Sequence, residues 1–139
     1  KNKMNIKKFK TLFLIALLID LLATIPLVLV SFNPSMMNEM VYSQFPGINE
    51  VGKEALDLFH FVFGIIAISM VVALIVALRI KIKESAQTAA LILFIFHIGW
   101  IAPDWINFLM GLQHPPIPVM LLGSVSVIAL GYAWKKGEI

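Results

Sequence analysis

The chain has 139 residues, of which 60% are apolar and 14% charged, and it contains no cysteine. Its mean hydropathy is +0.91, whereas soluble domains carry about a quarter charged residues. These values exclude an ordinary water-soluble domain, a disulfide scaffold, thiolate metal sites and thiol redox chemistry.

A basic start, with Lys1, Lys3, Lys7, Lys8 and Lys10, leads into the first apolar stretch, Phe9 to Val30. It runs about twice as long as the apolar core of a signal peptide and has no small-x-small cleavage site, so a retained helix is expected. Pro26 should kink its outer third. The segment from Asn33 to Phe45 has a Pro-Ser start and places Met, Val, Tyr and Phe to face lipid, which predicts a short external amphipathic helix stopped by Pro46-Gly47. A second span is expected from Ala55 to Leu78 and a third from Ala86 to Ala102, where Pro103 should end it. Asp104 to Leu112 then reads as another short amphipathic segment. Pro115, Pro116 and Pro118 mark the start of a fourth span, Ile117 to Trp134. About 20 apolar residues suffice for a hydrocarbon core of ~30 Å, and without a barrel-like alternation each span must be a helix. Trp100, Trp105 and Tyr42 would form an outer aromatic belt, and Tyr132 and Trp134 an inner one.

Ten of the eleven Lys and Arg residues lie in three clusters: the basic start, then Arg79, Lys81 and Lys83, then Lys135 and Lys136. Only Lys53 falls in the other connections. The positive-inside rule therefore predicts an all-α integral membrane four-helix bundle, a single domain over residues 1–139, with both termini cytoplasmic. The net charge of +3 is spread along juxtamembrane edges and not gathered on a stripe. Anionic lipid is the expected partner, and nucleic acid is not. Gly-rich phosphate loops are absent, so no nucleotide site is expected. Small residues on the second helix (Gly64, Ala67, Ser69, Ala73, Ala77) and the fourth (Gly123, Ser124, Ser126, Ala129, Gly131) mark faces for helix packing or for a subunit interface.

Ionisable residues at membrane depth are costly, and each requires a reason. Asp20 lies about 15 Å below the outer boundary by helical rise, and His60 and His97 some 7–8 Å below it. Above them sit Glu54, Asp57, Trp100, Asp104 and His114. All three histidines and five of the eight acids thus fall on the outer side. His60 and His97 admit four readings: a hydrogen-bonded tie between two helices, a divalent-metal site with Asp57 or Asp104, haem ligation, or a protonatable lining for a ligand pocket. For Asp20, desolvation disfavours the charged form. It is expected to bond Thr24 or a serine of the fourth helix such as Ser124 or Ser126, or to serve a proton, a cation or a polar ligand head. No GxSxG elbow supports a hydrolytic triad.

The order of features resembles the small four-helix DoxX-like membrane proteins. The stretches concerned are Ile25-Pro26, Phe45-Pro46-Gly47, Phe63-Gly64-Ile65 and Arg79 to Lys83. The resemblance is architectural and implies a bundle of the kind found as accessory membrane proteins in bacteria, without transferring any functional residue. The acid-bearing first helix and His97 followed by Pro103 are also similar to the sterol-binding EXPERA-type proteins, although the acidic external signature of that group is missing.

The resulting expectation is a multi-pass protein of the bacterial plasma membrane that binds a lipid-like or quinone-like ligand, or a membrane partner or second copy, from the outer side, without catalysis. Asp20, Thr24, Asp57, His60, His97, Trp100 and Asp104 are the candidate ligand contacts. The alternative is a metal- or haem-dependent redox protein built on His60, His97 and Asp57; otherwise no cofactor is expected. The topology is directly testable because no native cysteine interferes. Ser43→Cys and Gln113→Cys should react with an impermeant thiol reagent in intact cells and Ser85→Cys should not; the opposite pattern inverts the topology.

Overall fold

The computed structural model describes residues 8–138, and all its regular elements are helical. Helix α1 is Phe9–Phe32, α2 is Pro34–Met40, a single 3-10 turn covers Tyr42–Gln44, α3 is Glu50–Ala77, α4 is Lys83–Leu109 and α5 is Ile117–Lys136. Four of them, α1, α3, α4 and α5, are long and apolar enough to cross a membrane. Their outward faces are lined by exposed Leu, Ile, Val and Phe, including Leu22, Phe59, Phe96 and Ile128. Apolar surface on that scale suits a lipid solvent and not water.

The single short helix expected from Asn33 to Phe45 is α2 followed by the 3-10 turn, α4 begins at Lys83 and not at Ala86, and two further boundaries differ from the sequence reading. Helix α3 begins at Glu50 and not at Ala55, because Asn49 caps it: its side-chain oxygen accepts from the Gly52 amide at 2.8 Å, satisfying a donor that has no partner within the helix. Helix α4 runs through Pro103 to Leu109, so the expected separate segment after Ala102 does not exist. Proline forfeits one backbone bond, but tertiary contacts carry the helix past it. The Trp105 indole donates to Ser124 Oγ of α5 at 3.1 Å, and Phe108 packs edge-on against Trp105 and His114. The end of α4 is set by Gly111, whose φ is +68°. There the Leu112 amide reaches back to Asn107 O and the Gly111 amide to Phe108 O, the paired closure that a left-handed residue makes possible.

The described chain divides into two compact units. One comprises the residues up to Asp20 and those from Val71 onward; the other is Leu21–Met70.

In the first unit the buried residues fall at helical spacing: Phe9, Leu12, Phe13, Ala16 and Leu17 on α1, Val71, Leu74 and Ala77 on α3, Ala86, Ala90, Leu93 and His97 on α4, and Met120, Ser126, Ala129, Leu130 and Ala133 on α5. Alanine dominates the α4 and α5 stripes, and small side chains let backbones approach where dispersion and polar contacts must hold helices together. The Phe9 amide bonds Glu138 O at 2.9 Å. That bond fastens the start of α1 to the end of α5 and places Lys8, Lys10, Lys135 and Lys136 at one end of the unit.

In the second unit α2 is started by Asn33, whose side chain accepts from the Ser35 and Met36 amides. Helix α3 passes close to α1 at Gly64, where a Cβ would meet Ser31 Oγ at 3.4 Å, an ordinary contact distance. Ser31 Oγ donates to Leu27 O of its own helix and also lies 3.1 Å from His60 O of α3. Phe32 and Phe61 meet edge to face.

Because Gly111 occupies a conformation that β-branched residues reach only with strain, Gly111→Val should destabilise the protein by about 1–2 kcal/mol. The check is a lowered thermal midpoint in lipid nanodiscs; an unchanged midpoint counts against the closure described.

Candidate functional site

Two polar sites are set into the otherwise apolar helices, one in each unit. In the first, Asp20 continues the buried stripe of α1 toward α4 and α5. Its Oδ2 lies 2.8 Å from His97 Nε2, and Ser126 Oγ lies 3.4 Å from Oδ1. His97 is 3% exposed and Ser126 1%, and the Asp20 side chain 11%, so the cluster is largely shielded within the unit. The second nitrogen of His97, Nδ1, sits 2.7 Å from Leu93 O. A carbonyl oxygen only accepts, so Nδ1 carries a hydrogen and the neutral ring must be the Nδ1–H tautomer. Nε2 is then the nitrogen that faces the carboxyl group.

Sequence reasoning did not pair Asp20 with His97; it matched His97 to His60 by depth. Of the expected partners of Asp20, Ser126 is the serine that reaches it. Ser124 instead accepts from Trp105 and donates to Met120 O. Thr24 is buried within the second unit. The missed pairing had a signal: no Lys or Arg is available to a carboxylate at that depth, which leaves histidine as the cation or donor that can satisfy it.

The second site is an open cavity of about 430 Å³ in the Leu21–Met70 unit. Pro26, Leu27 and Val30 of α1 form one wall, Leu56, Phe59 and His60 of α3 another, and Met40, Val41, Gln44 and Phe45 close the end. Asp20, His97 and Trp100, expected to share one cavity with His60, are not among its lining residues. His60 Nδ1 lies 2.9 Å from Leu56 O, so here too Nδ1 carries hydrogen and the neutral ring keeps Nε2 as an acceptor. Gln44 uses its amide nitrogen on Met40 O at 2.6 Å, which leaves its carbonyl oxygen as an acceptor. His60 thus favours a donor, whereas Gln44 keeps its carbonyl oxygen as an acceptor and a second amide hydrogen as a donor.

Beside the pocket, the Tyr42 hydroxyl donates to Asp57 Oδ1, tying the 3-10 turn to α3. That bond, with the charges of Asp57 and Glu50 nearby, pushes the phenol up to about 12. Glu54 is exposed. In the first unit Asp104 and Trp100 lie on α4, and His114 Nδ1 donates to Pro115 O at 2.7 Å. Among the described residues no group of three or more His, Asp and Glu side chains is placed to hold a metal ion. Asp57, His60 and His97 are engaged separately, with Tyr42, the Leu56 carbonyl and Asp20. Both ring nitrogens of His97 are occupied, so ligation by His97 would require loss of its bond to Asp20 or Leu93.

Compared with protein-family models, with curated proteins and with solved structures, the chain matches none.

The Tyr42–Asp57 bond has a pH signature. A phenol whose folded value is raised above 10.0 to about 12 stabilises the fold below pH ~10, and that contribution is lost as pH rises through the folded value. Phenolate absorbance should show Tyr42 ionising late, and Asp57→Asn should return it to the ordinary range. An ordinary titration in the wild type would contradict the bond.

Proposed function

We propose that this protein is a multi-pass protein of the bacterial plasma membrane, with both termini cytoplasmic, that binds an amphipathic, hydroxyl-bearing ligand in the cavity of its Leu21–Met70 unit. The observation that carries this reading is the pocket itself: about 430 Å³, walled by Pro26, Leu27, Val30 and Phe59, with His60 and Gln44 as its polar members. Ligand sites of roughly 300–1,000 Å³ with apolar walls and a few placed polar groups are the common form for small-molecule recognition. Under the positive-inside orientation this cavity opens on the outer side. A lipid-like or quinone-like molecule would enter it head-first from the outer leaflet.

Head-group chemistry follows from the two acceptors. With His60 Nδ1 committed to Leu56 O, Nε2 accepts a hydroxyl proton from the ligand, and the Gln44 carbonyl offers a second acceptor. A hydroquinone or an acylglycerol satisfies both, whereas a quinone or an ether presents acceptor against acceptor at His60 Nε2. The role is recognition and carriage of the ligand, without catalysis. The architectural likeness to DoxX-like accessory membrane proteins agrees with a non-catalytic role.

An alkylated hydroquinone, its dimethyl ether and a monoacylglycerol, titrated into the full chain in nanodiscs, test this reading. The hydroquinone and the acylglycerol should bind, and the ether about tenfold more weakly, since a buried acceptor left unsatisfied costs about 1–3 kcal/mol. Leu27→Trp, which fills the cavity, should abolish binding of all three. Equal affinity for ether and hydroquinone removes the head-group reading, and binding that survives Leu27→Trp removes the pocket.

A further inference from the structure

The Asp20–His97–Ser126 cluster lies outside the ligand cavity and belongs to the other unit. Its chemistry is constrained by the atoms that face one another. His97 Nδ1 donates to Leu93 O at 2.7 Å, and that oxygen cannot reciprocate. Between His97 Nε2 and Asp20 Oδ2, 2.8 Å apart, a hydrogen bond requires one proton. It rests on the carboxyl oxygen, facing a neutral imidazole, or on the nitrogen, facing a carboxylate. Both arrangements are electrically neutral as a pair.

The surroundings enforce that count. From α1 the cluster receives Asp20, from α4 His97 and from α5 Ser126, and the residues of α3 buried in the same unit, Val71, Leu74 and Ala77, do not ionise. Among the described residues the other ion pair is Lys53 with Glu50, in the second unit, so Asp20 has no lysine or arginine to balance it. Without the proton, a carboxylate would stand in a shielded interior with one serine hydroxyl for company. With a second proton, an imidazolium would face a neutral acid. Either net charge is expensive at that depth.

We propose that Asp20 and His97 form a proton-binding site in which a single exchangeable proton is held between Oδ2 and Nε2, with Ser126 steadying the other carboxyl oxygen. Transfer within the site breaks the O–H bond and forms the N–H bond, and the net charge of the interior does not change. Release of that proton alone would leave a buried carboxylate, so the site passes a proton on only as it takes up another, and it is electrically neutral before and after the exchange.

The test uses the full chain in nanodiscs with isotope-labelled aspartate and histidine. Infrared spectroscopy reads the carboxyl group and nitrogen NMR the ring. The chain has three aspartates and three histidines, so Asp57→Asn, Asp104→Asn, His60→Phe and His114→Phe, all outside the cluster, assign the signals without disturbing it. At neutral pH the expected result is either a protonated Asp20 with a neutral Nδ1–H His97 or a carboxylate with an imidazolium, and complete loss of the carboxyl signal in Asp20→Asn. On transfer to deuterated buffer the shared proton should exchange within minutes, while the backbone amides of the same helices remain protected. A carboxylate beside a neutral ring, an acid beside an imidazolium, a neutral Nε2–H tautomer, or a proton still unexchanged after a day would each overturn the proposal. The last outcome would mark the pair as a helix tie alone.

Discussion

Lipid offers no hydrogen bonds, so every polar group that enters the hydrocarbon must be satisfied by the protein itself. Along these helices the same solution recurs. Ser31, Ser69, Thr88 and Ser124 each donate to the carbonyl four residues earlier, and His60 and His97 do the same through Nδ1. Donors can fold back on their own helix in this way because the i−4 carbonyl lies directly beneath them. Asp20 instead bonds across helices, to His97 of α4 and Ser126 of α5, and so links α1 to both in the first unit.

That difference separates two kinds of polar residue in this chain. Side chains that back-bond place their demand on their own helix and leave packing to small residues and dispersion. Asp20 places its demand on tertiary structure, so the arrangement of three helices around it is specified by a polar contact and not only by shape. Removing one member of such a pair leaves the other buried and unpaired, which is why single substitutions there cost more than losing the contact itself. The second unit has no comparable buried ionic contact. Its links between α1 or the 3-10 turn and α3 include the Ser31 contact to the His60 carbonyl and the Tyr42–Asp57 bond at its edge, and an apolar cavity can exist there without a charge needing burial.

The two sites illustrate how one residue type takes different roles through its neighbours. His60 and His97 each fix Nδ1 on a carbonyl and so each leave Nε2 as the chemically open nitrogen. At His97 a carboxyl group meets it, and the product is a proton-sharing pair. At His60 a pocket adjoins the ring, and under the proposed function the same nitrogen accepts from a ligand hydroxyl. The tautomer is set in both cases by helix geometry before any partner is considered.

Four membrane-length helices, a helix start at Asn33 within the Asn33 to Phe45 segment and the turn at Gly47 were legible in the sequence, because hydrophobic length, capping residues and glycine act locally. So was the need for Asp20 to find a partner, since cost at depth depends on the residue alone. The identity of that partner was not legible, and the reason lies in Pro103. Taking proline as the end of the third span put His97 near the membrane edge and Asp20 well below it. In the structure α4 continues to Leu109, so His97 lies twelve residues inside that end, about 18 Å at ~1.5 Å per residue and well within the span, where it meets Asp20. Whether a helix survives an internal proline is decided by contacts such as Trp105 with Ser124, made between segments distant along the chain. Local sequence determined which residues needed partners, and only the tertiary structure decided which partners came within reach.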